Sequence, residues 1–423
     1  MSRAMKDSGI PWIGEIPSHW ETDNIGSLYS QRNEKVSDKD YPPLSVSKMG
    51  VVPQLETAAK TDDGDNRKLV RKGDFAINSR SDRRGSCGIS VYDGSVSLIN
   101  TILTPRTEMN PRFYDWLFHT SVFADEFYKW GHGIVDDLWT TRWAEMKRIS
   151  IVVPPIHEQQ SIADFLDKKC GEIDEMVSLQ EKIVEDLKAY KQSVITEAVC
   201  KGLNPDVPMK DSGIVWIGEI PLSTEIIRLK YVSEISRGLF NHRPRDDEKY
   251  YNGGFPFIQT GDVARSGKYI TSYSQTLSKL GTTVSKLFPK GTMTMTIAAN
   301  VGDVAILDFD AYFPDSVLGI VPNDNVQKNY LYYVITASKP ALINAATANA
   351  QLNLNVQSVG NILIPLSPIK EQQAIADYLD TKCAEIDTLI SLKQSKIDAL
   401  KEYKKSIIYE YITGKKEVPN GEQ

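Results

Sequence analysis

Cysteine is scarce in this chain: four residues in 423, at Cys87, Cys170, Cys200 and Cys383, with no CxxC pair and no metal-ligand spacing. That usage fits a reducing compartment. Cys170 and Cys383 fall at matching places of a repeat described below, where a small apolar residue is the simplest explanation. Only five histidines are present, too few to cluster with cysteine or carboxylate as a metal centre. No apolar run approaches the roughly 18 residues that span a membrane. The N-terminus lacks the basic, apolar, small-residue succession of a signal peptide, so a cytoplasmic chain is expected. No glycine-rich turn opens a helix after a strand, and GxxxxGK[ST] is absent, which removes the common nucleotide sites. The Asn-Pro-Pro-aromatic catalytic tetrapeptide of a methyltransferase is missing, since NPRF at 110–113 lacks the second proline. HEQQ at 157–160 returns as KEQQ at 370–373 and loses its histidine. The reading is a non-enzymatic chain, with no catalytic residue, no metal ligand and no cofactor of its own.

An excess of positive charge is also missing. The net charge is −6, which by itself argues against nucleic acid. The acid is not evenly spread, however. Residues 21–153 carry 18 basic against 19 acidic side chains, and residues 224–367 carry 13 against 11, whereas 154–223 carries 7 against 13. Two near-neutral blocks therefore flank an acidic spacer. The blocks hold basic clusters: Arg67, Lys68, Arg71 and Lys72, then Arg80, Arg83 and Arg84, and in the second block Arg237, Arg243 and Arg245. Phosphate contact is compatible with this, and a partner is expected to add affinity.

What the chain has in abundance is repetition. Residues 154–202 reappear at 368–414, with about 24 of 43 positions identical from Pro155 to Glu197 at a shift of 213. MKDSGIPWIGEIP at 5–17 returns as MKDSGIVWIGEIP at 209–221. A period near 200 residues is a duplicated domain rather than a solenoid of 20–50-residue units. Each copy predicts a helix that starts after a proline near Ile156 and Ile369 and stops at Gly202 and Gly414. Leu166, Ile173, Leu187 and Val194 give one heptad register, with Met176, Ile183 and Tyr190 in another; Leu379, Ile386, Leu400 and Ile407, with Leu389 and Tyr403, repeat it. Such a helix is about 65 Å long at 1.5 Å per residue. A stripe of this length needs a partner helix, and the expected partner is the other copy, antiparallel, in the same chain.

The two blocks share a frame of mostly short strands: a Lys-Gly turn, a strand, a polar loop, a strand, and an aromatic helix. Their loops differ, and loops on a fixed frame are where recognition usually lives. Arg80, Arg83, Arg84, Arg142, Arg237, Arg243 and Arg245 offer planar donor forks for guanine edges or phosphate. Gln259, Asn300, Gln351, Asn353 and Asn355 are the amide types that read adenine. Lys68, Arg71, Lys268 and Lys290 fit phosphate neutralisation.

The order DSGIPWIGEIP, variable block, PPIxEQQxIAxxLDxK helix, all repeated, closely resembles the specificity subunit of type I restriction–modification enzymes. The resemblance covers essentially the whole chain. It implies an α+β fold: two mixed, mostly β target-recognition domains joined by two long helices in an intrachain antiparallel coiled coil with pseudo-twofold duplication. The expected division is 1–153 and 209–367 for the recognition domains, with spacer helices in 154–208 and 368–423. It further implies double-stranded DNA as ligand, a bipartite asymmetric target, two docked copies of the modification methyltransferase subunit, and translocating restriction subunits. S-adenosylmethionine, ATP and Mg²⁺ would belong to those partners. The rival readings are a stand-alone DNA-binding regulator or antirestriction decoy, and a protein–protein scaffold.

Overall fold

The computed structural model describes residues 3–54, 63–133, 139–243, 245–346 and 354–419. They fall into two compact units, one of residues 1–181 with 394–423 and one of 182–393. The boundaries cut both long helices, Ile156–Lys201 and Ile369–Ile412, so each unit owns one variable block and half of each helix.

The first unit is built on a four-stranded antiparallel sheet in the order Cys87–Ile89, Phe75–Asn78, Asn100–Pro105, Tyr29–Arg32. The strand Phe75–Asn78 is buried at every position because both faces are covered. Phe75 and Ile77 face an aromatic core, while Ala76 faces a small aliphatic one with Leu44, Val51, Val70, Val96 and Ile102. The aromatic segment predicted as one helix is two, Pro111–Phe118 and Ser121–Lys129. Thr120 breaks it by accepting a hydrogen bond from Phe123 N at 3.2 Å, the usual N-cap device. Their rings pack tightly, Phe118 lying 4.9 Å from Phe75 and 4.6 Å from Phe123 between centroids.

The second unit repeats that sheet as Val304–Leu307, Met293–Thr296, Val317–Pro322 and Ser233–Arg237, and adds Tyr269–Ile270 in parallel at the outer edge. Its aromatic helix is Lys328–Ala337. The predicted Lys-Gly turns are present in both units, with Gly73 at φ +91° and Gly291 at φ +89°. Outside the shared sheet the units diverge. The first carries the hairpin Leu44–Ser47 and Gly50–Pro53. The second carries a separate four-stranded sheet with its own cluster of Phe240, Phe257 and Leu277.

The structure explains the EQQ signature. In the first unit Gln159 is buried, donates to Pro154 O at 2.8 Å and accepts from Asn110 N at 2.9 Å. In the second unit Gln372 is buried, donates to Ser367 O at 2.8 Å and accepts from Gln327 N at 2.9 Å. Asn110 and Gln327 are the N-caps of the aromatic helices. One amide therefore ties the end of a strand, the start of a long helix and the start of an aromatic helix, satisfying a donor and an acceptor that would otherwise be buried unpaired.

Within each unit the two helix halves run antiparallel. In the first, Phe165 packs on Tyr411 with ring centroids 4.4 Å apart, Asp174 pairs with Lys404 at 2.6 Å and Glu181 with Lys401 at 2.9 Å, so one number rises as the other falls. In the second, Lys191 pairs with Asp387 at 2.7 Å. Each half also packs on the globular block of its unit: Ile162, Ala163, Leu166 and Ile173 join the first core, and Ile375, Ala376 and Leu379 the second. One predicted register is corrected. Met176, Tyr190, Leu389 and Tyr403 are exposed, between 41% and 54%, whereas Leu166, Ile173, Leu379, Ile386 and Ile407 of the other register are buried.

Both long helices end as expected before left-handed glycines, Gly202 at φ +73° and Gly414 at φ +71°. The duplicated hairpins sit against these ends. In the first unit Tyr409 Oη and Lys415 Nζ donate to Ile13 O at 3.1 and 2.7 Å; in the second, Ile217 and Ile220 pack with Ile195, Ala198 and Val199. All four cysteines are buried and unpaired. Burial pushes the Cys170 thiol up to about 11 and the Cys200 thiol up to about 12, so neither is poised to react.

Candidate nucleic-acid interface

In the first unit the loop after the strand Phe75–Asn78 carries Arg80, Arg83 and Arg84. A second loop lies beside it: Thr141 N donates to Ser79 O at 3.0 Å, and Arg80 bridges Thr140. This brings Arg142, 62 places along the chain from Arg80, into the same cluster. Neither guanidinium forms an ion pair with a described residue. Arg83 pairs loosely with Asp82 at 3.4 Å, and Arg84 with Asp125 at 3.0 Å while lying over the Tyr128 ring at 5.2 Å. Arg84 is thus the most constrained of the four.

Sequence reasoning missed two neighbours of this cluster. The tip of the hairpin Leu44–Ser47 and Gly50–Pro53 holds Lys48 and Met49, and Met49 is 76% exposed. The hairpin lies against the strand after the arginine loop so closely that a Cβ on Gly88 would come within 2.7 Å of Gly50 Cα. Lys48 and Arg84 line one cleft of about 690 Å³ with His119, Lys405 and Tyr409. An exposed methionine at a rigid turn is visible only once the hairpin is placed; the sequence offers just a Ser-Lys-Met-Gly turn.

In the second unit the equivalent contacts recur. Leu354 N donates to Ile297 O at 3.0 Å, matching Thr141 and Ser79, so Asn355 occupies the place of Arg142. The loop 297–303 carries the exposed Asn300 and the left-handed Ala299 at φ +60°. Ile297 N also donates to Ser316 O at 3.0 Å. Beside that segment, Arg237 donates to Asp315 O at 2.5 Å and Arg245 to Asp315 Oδ1 at 2.7 Å. Arg243, on the same loop as Arg245, donates to Phe240 O at 3.0 Å. The frame presents arginines in one unit, and an amide loop flanked by tethered arginines in the other.

Several of the expected contact residues have partners within the fold or stand away from these loops. Lys68 donates to Asn100 O at 2.7 Å inside the fold, where burial lowers its pKa. Lys268 is held by Asp380 within a cage of Tyr269, Tyr332 and Tyr333 at 5.6, 5.7 and 5.1 Å, beside the helix rather than in a recognition loop. Gln259 caps the helix Thr260–Arg265 and donates to Gln275 Oε1 at 2.8 Å. Asn355 caps Val356–Gly360 by accepting from Ser358 N at 2.8 Å. Arg71 and Lys290 precede the strands whose far ends carry the arginine and amide loops, so each stands at the opposite end, and Lys290 pairs with Asp308 at 2.8 Å. Gln351 and Asn353 lie outside the described residues.

Comparison with known proteins points the same way. Residues 221–402 match the sequence model of the type I restriction modification DNA specificity domain. The chain is 25% identical over 428 residues to the type I restriction enzyme MjaVIII specificity subunit of Methanocaldococcus jannaschii, covering 96% of this chain and 95% of that one. Its fold resembles a chain solved in work on assembly and conformational transition of a type I R-M system, with a TM-score of 0.71 at 16% identity over 94% and 98% of the two chains. It also resembles the HsdS subunit from Thermoanaerobacter tengcongensis, with a TM-score of 0.51 at 17% identity over 94% and 98%. These matches are to DNA specificity domains and specificity subunits. Residues 221–402 thus carry the sequence pattern of a type I restriction modification DNA specificity domain, and the chain as a whole is similar in sequence and fold to specificity subunits of type I restriction enzymes.

Proposed function

We propose that the two blocks each read one half of a split, asymmetric DNA sequence, at a separation set by the two long helices, and that the chain carries two copies of the modification methyltransferase subunit. The observation that carries the first part is the shared frame with unlike loops. Ser79–Thr141 and Ile297–Leu354 fix the same loop pair in each unit, while the chemistry presented changes from arginines to Asn300 and Ala299. Identical supports with different readers are what two different half-sites require.

The second part rests on duplicated apolar surface. The first unit exposes Met176 and Leu179 with Tyr403, and the second exposes Leu389 and Leu392 with Tyr190, at 41–62%. The members of each pair are matching repeat positions. Two like patches fit two copies of one partner. In this reading the methyltransferases bring S-adenosylmethionine and flip the target adenine out of the stack. The restriction subunits bring ATP and Mg²⁺, and the complex works in the prokaryotic cytoplasm. The experiment is a block exchange: replacing residues 21–153 with the corresponding block of another specificity subunit changes one half of the methylated motif and leaves the other. A change in both halves contradicts it.

A further inference from the structure

The two helix–hairpin junctions differ in one respect that the duplication makes easy to see. In the first unit Glu158 accepts from three groups: the Trp20 indole Nε1 at 3.0 Å, His19 Nε2 at 2.5 Å when that nitrogen is protonated, and the Arg3 guanidinium. Burial pushes this carboxyl up, but the donors His19, Trp20 and Arg3 outweigh burial and hold it below its ordinary value. Trp20 is fully buried, lies 6.4 Å from Phe113 and presses on Gly414 and Pro17, where a glycine Cβ would meet its ring at 2.9 Å.

The second unit keeps the receptor and lacks the plug. Gly202, Pro221 and Glu371 match Gly414, Pro17 and Glu158. The three donors are replaced at matching positions by Val207 for Arg3, Ser223 for His19 and Thr224 for Trp20. The Glu371 carboxylate has no hydrogen bond or ion pair with a described residue. The vacated space is an open pocket of about 270 Å³, lined by Gly202, Val207, Pro221, Glu371 and Ile375 among others; Lys201 also lines it, its ammonium 3.9 Å from Glu197. Thr224 has turned inward to Ser367 Oγ at 3.5 Å, leaving the outer part open.

We infer that this pocket of the second unit binds an aromatic ring bearing an N–H donor and an adjacent cationic group, presented by a partner polypeptide. Glu371 takes the charge and Val207, Pro221 and Ile375 take the ring. The first unit states the recognition chemistry in its own residues, with an indole and a guanidinium on the same carboxylate. Because the first junction is already filled by the chain itself, the site occurs once among the described residues, unlike the duplicated helix patches. It gives an otherwise repeated scaffold one distinguishable end.

The test uses the full-length chain and small probes. Tryptamine carries the ring, the N–H and the cation; indole-3-propionate carries the ring with a carboxylate. Calorimetric titration is expected to show one equivalent of tryptamine bound and indole-3-propionate excluded by Glu371. Glu371→Gln is expected to weaken tryptamine about tenfold, the worth of one charge-assisted hydrogen bond. Thr224→Trp is expected to fill the pocket and abolish binding. Should that variant fail to fold, Glu371→Gln, a change at an exposed position, still decides. Equal binding of both probes, two equivalents per chain, no binding up to the solubility limit, or an unaffected Glu371→Gln variant would each overturn the inference.

Discussion

Replacing Gln159 with methionine keeps the length of the side chain and removes both its hydrogen bonds. The structure then leaves Pro154 O without its donor and Asn110 N–H without its acceptor, both in buried positions. Each buried polar group left unpaired costs about 1–3 kcal/mol, so the pair amounts to about 2–6 kcal/mol. For a unit of this size that lowers the melting temperature of the first unit by at least about 4 °C. The loss is local at first, since the amide freed is the N-cap of the helix Pro111–Phe118. Hydrogen exchange followed by mass spectrometry is the assay, read on the peptide spanning residues 106–114. Protection there should fall in Gln159→Met while the peptide around Gln327 keeps its protection, and Gln372→Met should do the reverse. A melting shift under about 2 °C with unchanged exchange would show that the EQQ amide does not hold the junction, and would refute the argument.

Four other outcomes are expected. Arg80→Ala or Arg142→Ala should weaken recognition by about 1–3 kcal/mol if the guanidinium is bidentate to guanine, read as relaxed sequence at one position of one half-site; a loss uniform across sequences demotes the residue to a phosphate contact. Lys68→Gln and Lys268→Gln should leave the salt dependence of DNA binding by the assembled complex unchanged, because both ammonium groups are engaged inside the fold. Met49→Ala should change discrimination within the half-site read by the first block and leave the salt slope alone, as expected of an apolar base contact; a changed slope with an unaltered motif contradicts that role. The Glu158 carboxyl has a folded pKa below its ordinary value of 4.5, so its stabilisation is complete above that value and is lost as the pH falls through the folded pKa. The difference in melting temperature between the chain and Glu158→Gln should therefore shrink as the pH falls through that folded pKa.

The duplicated scaffold was legible because its signals are local. Proline and glycine bracket the long helices, and Leu166, Ile173, Leu379 and Ile386 keep the period of a buried helix face. The shared sheet was legible from its turns, since Gly73 and Gly291 adopt the left-handed conformation the Lys-Gly pairs announce. The binding residues were harder to read. Lys68, Lys268, Gln259 and Asn355 are polar loop or edge residues in the sequence, and nothing local says that Asn100 O, Asp380, Gln275 or Ser358 will engage them. The same blindness hid Lys48 and Met49, whose place beside Arg84 comes from packing Gly50 against Gly88. The second heptad register misled for a related reason: the exposed Met176, Tyr190, Leu389 and Tyr403 follow the same seven-residue period as the buried positions, so the period alone does not say which face is covered.

The central claim is that this chain alone chooses the DNA sequence, with its two blocks reading two halves. The direct measurement is long-read methylation mapping of DNA from cells that co-express the chain with its cognate methyltransferase subunit. The account predicts adenine methylation at one split motif, absent without the chain, whose halves change independently when the blocks are exchanged. Methylation at a continuous motif, or at the same motif without the chain, would contradict it.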